Sequence, residues 1–136
     1  MSDTQDIRKA LEEILTGATG LPAKIAFENM KINPSEEDTW LRTKLMISES
    51  KAAAVGTGNA VLWRGLLLVD CFGKQNKGPA AVDQLADSIL DLFPYGTQIT
   101  ENGKIINIRH AERSGAFQDD PWYICPVTIT WYCYVA

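Results

Sequence analysis

Residues 121–134 alternate at period two. Odd positions from Cys125 onward read Cys125, Val127, Ile129, Trp131, Cys133 and Val135, all apolar. Even positions read Thr128, Thr130, Tyr132 and Tyr134. Strict alternation over this length predicts a β-strand with one face in a core. The other face carries no Lys or Glu. Thr and Tyr suit a surface that meets another protein. The stretch holds five of the eight Trp and Tyr residues, so a contact rather than a reaction is the first expectation for function.

A different period opens the chain. Ile7, Ala10, Leu11, Ile14 and Leu15 recur at helical spacing, with Arg8, Lys9, Glu12 and Glu13 on the wet face. Ser2 and Gln5 have capping-box spacing, and Gly17 and Gly20-Leu21-Pro22 end the helix. Residues 24–30 predict a short strand and residues 33–38 a polar turn. In residues 39–47, Leu41, Leu45 and Ile47 make an apolar face, while Trp40, Arg42 and Lys44 point the other way. Residues 49–59, with Lys51, Gly56 and Gly58, read as a flexible hairpin loop. Residues 60–72 carry Leu62, Leu66 and Leu68 on one face and Val61, Trp63, Leu67 and Val69 on the other. Apolar residues on both faces predict a central strand covered on both sides.

Pro79 suits the first turn of a second helix. Its buried stripe is Val82, Leu85, Ala86, Ile89, Leu92 and Phe93, and Asp83, Asp87 and Asp91 lie on the opposite side. Pro94 and Gly96 end it. Asn102-Gly103 between apolar runs is a strong hairpin signal. Residues 114–121 read as a polar loop. The order lacks regular β-α-β alternation, which argues against a doubly wound sheet. It predicts an α+β fold: a mostly antiparallel sheet of five to six strands, two helices on one face and a projecting β-hairpin.

Composition narrows the function. At 136 residues the chain is expected to be one domain, residues 1–136. Hydrophobic content of 46% excludes a disordered chain. The net charge of −4 argues against a general nucleic-acid binder, although Trp40, Arg42 and Lys44 combine an aromatic with two cations on one face. The polar N-terminus and the lack of a long apolar run predict no leader and no membrane segment. Cys71, Cys125 and Cys133 lack disulfide or zinc spacing and read as small core residues. The single histidine, His110, follows the parity of Ile106 and Ile108 and reads as a core-edge or rim residue. Glu36-Glu37-Asp38 reads as a solvated turn. No P-loop, dinucleotide fingerprint or nucleophile elbow is present. Neither an enzyme nor a bound cofactor or metal is expected.

Several segments together resemble a known family. Trp40-Leu41-Arg42 opens a strand after a Pro-containing polar turn. A loop with Gly56 and Gly58 leads to Leu66-Leu67-Leu68-Val69. Gly73-Lys74 and Gly78 precede the helix with Ala81, Leu85, Ala86, Ile89 and Phe93, followed by Gly96. The end is Trp122-Tyr123-Ile124-Cys125-Pro126-Val127-Thr128-Ile129. This succession is similar to the small tail terminator, or tail completion, proteins of long-tailed bacteriophages. The resemblance implies a sheet flanked by helices with a projecting hairpin, and no active site. It implies a hexameric ring on the last ring of the tail tube that stops polymerisation and meets head or neck proteins. It places the chain in the virion tail, and in the host cytoplasm during assembly. A head-closure or neck connector, or another sheet-based binding module, is the alternative.

A ring needs two different patches that meet head to tail. One expected patch is Thr128, Thr130, Tyr132 and Tyr134 with Trp40 nearby. The other is Asp83, Asp87 and Asp91, with Arg42 and Lys44 as their cationic counterpart across the boundary. The isolated chain is expected to be monomeric or loosely associated, with the tube end ordering the ring.

Overall fold

The computed structural model describes residues 3–33, 38–52 and 61–135, the side chains of residues 49–52 and 135 excepted. Helix α1 (Asp3–Thr16) is followed by the short strand β1 (Ile25–Ala26) and two long strands, β2 (Thr39–Ala52) and β3 (Val61–Lys74). Helix α2 (Ala80–Leu92) precedes β4 (Gln98–Glu101), β5 (Lys104–Arg113), β6 (Phe117–Asp119) and β7 (Trp122–Val135). The strands form one sheet in the order β1-β2-β3-β7-β5-β4, with β6 also paired to β7. All pairs are antiparallel except β1 with β2. The fold is α+β, and its sheet is mixed rather than purely antiparallel.

Both helices pack on one face. The odd residues of β7, from Cys125 to Cys133, are fully buried there. They meet Leu41, Leu67, Val69, Ile106 and Ile108 from the sheet, Ile7, Leu11 and Leu15 from α1, and Val82, Leu85, Ala86, Ile89 and Phe93 near α2. The 3.6-residue stripe of each helix and the two-residue alternation of the strands thus feed one core. No helix among the described residues is long and apolar enough to cross a membrane.

Four local readings change. Residues 24–30 give only a two-residue strand, which adds a parallel edge beside Leu41 and Arg42. Residues 114–121 are not simply a loop, because β6 pairs with the start of β7. Strand β3 is central, but no helix covers its outer side, where Leu62, Leu66 and Leu68 are only half-buried. The hairpin arms of β2 and β3 pair as far as Ala52 and Val61, and β3 also pairs along its length with β7. Gly56, Gly58 and the tip expected to project lie outside the described residues, as do Ser2, the expected helix cap, and Glu36-Glu37 of the acidic turn.

The Asn-Gly hairpin forms as expected. Glu101 pairs with Lys104, and Asn102 and Gly103 both have positive φ, 51° and 79°, the requirement of a type I′ turn. That turn also anchors α1. Asp6, 1% exposed, accepts hydrogen bonds from Lys104 Nζ at 2.7 Å and Asn102 Nδ2 at 3.1 Å. The Lys104 bond, then the Asn102 bond, hold the Asp6 carboxyl below the usual carboxylate range. A depressed folded-state value stabilises the fold above the unfolded carboxylate pKa of about 3.9 and loses that contribution as pH falls through the folded value. Asp6→Asn should therefore flatten the acid limb of stability against pH. Urea midpoints measured from neutral pH downward check this, and parallel acid limbs for wild type and variant would refute it.

Candidate protein-contact face

The side of the sheet away from the helices carries the even residues of β7. Thr128, Thr130 and Tyr132 are half-buried, and Tyr134 is 54% exposed. Register places them beside Leu68, Leu66, Arg64 and Leu62 of β3. Met46 of β2, 42% exposed, and Ile105 of β5, 47% exposed, extend the apolar surface. Tyr132 and Tyr134 meet edge to face at 6.1 Å, a favourable ring geometry that orients both side chains.

Two irregularities shape this face at the same level of the sheet. The β2–β3 register shifts between Ile47 and Glu49, and the β5–β7 register shifts between Ile108 and His110. Gly65 and Trp131 pair with each other between these two sites. A bulge bends its strand and redirects a side chain. In β5 it leaves Arg109 without a register partner and breaks the parity expected for His110. The His110 side chain is exposed and lies 3.5 Å from Glu112.

The result is a cleft of about 410 Å³ lined by Leu62, Arg64, Tyr95, Arg109, Tyr132 and Tyr134, with Gln98 and Asn107 among its polar groups. Among the described residues, no Asp or Glu lines it. A concavity with two arginines, three tyrosines and no acid suits an anionic protein surface, since Tyr and Arg are the side chains that most often anchor interfaces.

Sequence parity brings Tyr132 and Tyr134 to this site and misses Arg64, Arg109 and Tyr95. Arg64 carries a usable signal, because it shares the parity of Leu62 and Leu66. Arg109 depends on the bulge, and Tyr95 on the path of the chain between α2 and β4.

Other expected site residues change role. Trp40 is on the outer face but is 7% exposed. It stacks on Phe72 at 3.8 Å and meets Trp122 edge-on, in a second small core with Ala26 and Ile124. Burial removes it from the contact surface. Arg42 is committed within its own chain, through Nη2 to Asp70 Oδ2 at 2.9 Å and over the Phe72 ring at 4.9 Å. Asp83 likewise accepts a hydrogen bond from Arg113 Nη2 at 2.8 Å. Lys44 is exposed, and Asp87 and Asp91 are exposed on α2. The side chain of Lys51 lies outside the described residues.

The cysteines are core residues. All three are free and buried, and burial pushes the Cys71 thiol up to about 12, which opposes thiolate chemistry.

The profile of the phage tail terminator proteins matches residues 6–131. The chain belongs to the phage tail terminator family. Terminator proteins are structural components of the virion, so this chain has a structural role in the phage tail and associates there with other virion proteins. The match covers β2, β3 and β5 and the part of β7 up to Trp131; Tyr132 and Tyr134 lie just beyond it. Among solved structures, one chain with 20% sequence identity aligns over 100% of this terminator protein and 98% of its own length, with a TM-score of 0.77; that likeness establishes the fold. No curated protein sequence matches.

Proposed function

We propose that this terminator-family chain caps the head-proximal end of the tail tube as a ring of copies, six on the tail. The ring stops tube polymerisation and presents a surface to head or neck proteins. The single observation that carries this reading is the family match over residues 6–131. The open outer face supports it physically. Both helices cover the other side, so Tyr132, Tyr134 and the neighbouring Leu and Thr residues remain for partners.

Each contact is weak alone, and several equal sites on a tube end raise the effective concentration of the next copy. The free chain is then monomeric or loosely associated. Sizing of dilute protein should give no closed ring, and a stable ring in the absence of tube would contradict that part of the proposal. The capping role is tested by tail length. Particles assembled without the protein should carry overlong or headless tails. Tails of normal length beside unplugged heads would favour the head-side connector instead.

A further inference from the structure

Among the described residues the outer face of the sheet carries an acid-free arginine–tyrosine cleft, and α2 carries a row of acids that nothing on its own helix balances. The sequence of α2 holds three Asp residues and no Lys, Arg or His. Arg113 engages Asp83 at 2.8 Å and reaches Asp87 only at 3.9 Å. Asp91 has no ion-pair partner among the described residues and stands in the last turn of α2, where no basic residue is found. The C-terminal end of a helix is its negative pole, so a carboxylate there is locally unfavourable. Asp91 therefore weakens its own helix slightly, and an external cation would reverse that effect.

Arg109 is the matching group. It is exposed and makes no hydrogen bond or ion pair among the described residues. It lines the cleft with Tyr95, Tyr132 and Tyr134. Within one chain Asp91 and Arg109 form no ion pair among the described residues, although Tyr95 and Gly96, which follow α2, border the cleft. The apolar stripe of α2 packs on the inner side of the sheet, and Asp87 and Asp91 are exposed away from that core. A second copy, placed head to tail, can supply the contact.

We propose that the cleft of one protomer receives the C-terminal half of α2 of its neighbour, with Asp91 and Asp87 facing Arg109 across the boundary. This deepens the ring reading and rests on it. Because cleft and helix are different patches, the contact is heterologous, and repetition generates a ring when the rotation closes. The tyrosines supply the packed contact area and the charges set the register. The surface expected from sequence, with Arg42 and Asp83 in the pair, is narrowed, since both are already held within their own chain.

The three natural cysteines are buried, so engineered ones can be linked selectively. A chain with Asp91→Cys and Arg109→Cys, its fold checked by circular dichroism, is assembled onto tails and treated with a short bismaleimide. The expected result is a ladder of linked copies of this chain, absent from either single variant. Linkage to a different tail protein, or no linkage on tails that electron microscopy shows capped by a ring, would overturn the inference while leaving the capping role intact. Tails without a terminal ring in the wild type would instead overturn the capping role. If the double-cysteine chain fails to fold or to join tails, charge exchange decides. Arg109→Asp and Asp91→Arg should each reduce occupancy of tail ends by about tenfold or more, and the chain carrying both should regain it. Unchanged occupancy in the single variants, or no recovery in the combined one, would refute the pairing.

Discussion

Gly65→Ala should destabilise the protein by about 3 kcal/mol or more, the upper part of the range for overpacking a sheet interior. A Cβ at Gly65 would lie 2.0 Å from the Met46 carbonyl oxygen, 2.7 Å from Trp131 Cζ2 and 3.0 Å from Ile47 Cα. Two of these are backbone atoms, and Trp131 is fully buried, so no flexible side-chain end is free to yield. Glycine is required here by close approach. The β2 bulge crowds one side of Gly65, and the indole of its cross-strand partner fills the other. A loss of that size is a large fraction of the 5–15 kcal/mol typical of a folded protein. The urea midpoint should fall steeply, and a midpoint within experimental error of wild type would show that the bulge row is not tightly packed. The same row carries Arg109, so a variant that survives should also have a distorted cleft.

Trp40→Asp is the second large effect. From sequence parity this change is expected to spare the fold and impair only assembly. The buried position of Trp40 reverses that expectation. Removing a buried Trp side chain costs about 3–5 kcal/mol, and a carboxylate in its place would face Phe72, Trp122, Ala26 and Ile124, with the nearby Arg42 already engaged by Asp70. Trp40→Phe should cost far less, because the ring stack on Phe72 is retained and the indole N–H has no hydrogen-bond partner among the described residues. Near-ultraviolet circular dichroism with urea denaturation separates the cases. A folded Trp40→Asp chain with wild-type stability would return Trp40 to the contact surface. Tyr134→Asp, at a position 54% exposed, should leave stability nearly unchanged.

These two residues mark the limits of the sequence. The alternation of residues 125–134 is legible because one side of β7 is buried and a two-residue period records it directly. The helices are legible for the same reason at their own period, and the Asn-Gly turn because positive φ restricts its residues. Period alone cannot say what covers the other face. Trp40 and Tyr134 share a parity, yet β1 and the start of β7 bring residues over Trp40 and leave Tyr134 open. The bulges leave no periodic trace, since one extra residue in a strand looks like any other until its partner strand is known. Arg109 and the redirected His110 were invisible for that reason. The Asp6–Lys104 pair joins residues from opposite ends of the chain, and only the folded topology brings them together. The family resemblance, by contrast, rested on glycines and aromatics that recur in order and did not depend on resolving those contacts.

The proposed capping role puts the contacts that end tail growth on the Tyr132 and Tyr134 face. The most direct measurement is the length of tubes polymerised in vitro with purified protein, wild type against a Tyr132→Asp, Tyr134→Asp variant shown to be folded. Wild type should stop growth at one tube end and the variant should not, giving tubes as long as those formed with no terminator added. Equal capping by the folded variant would contradict it.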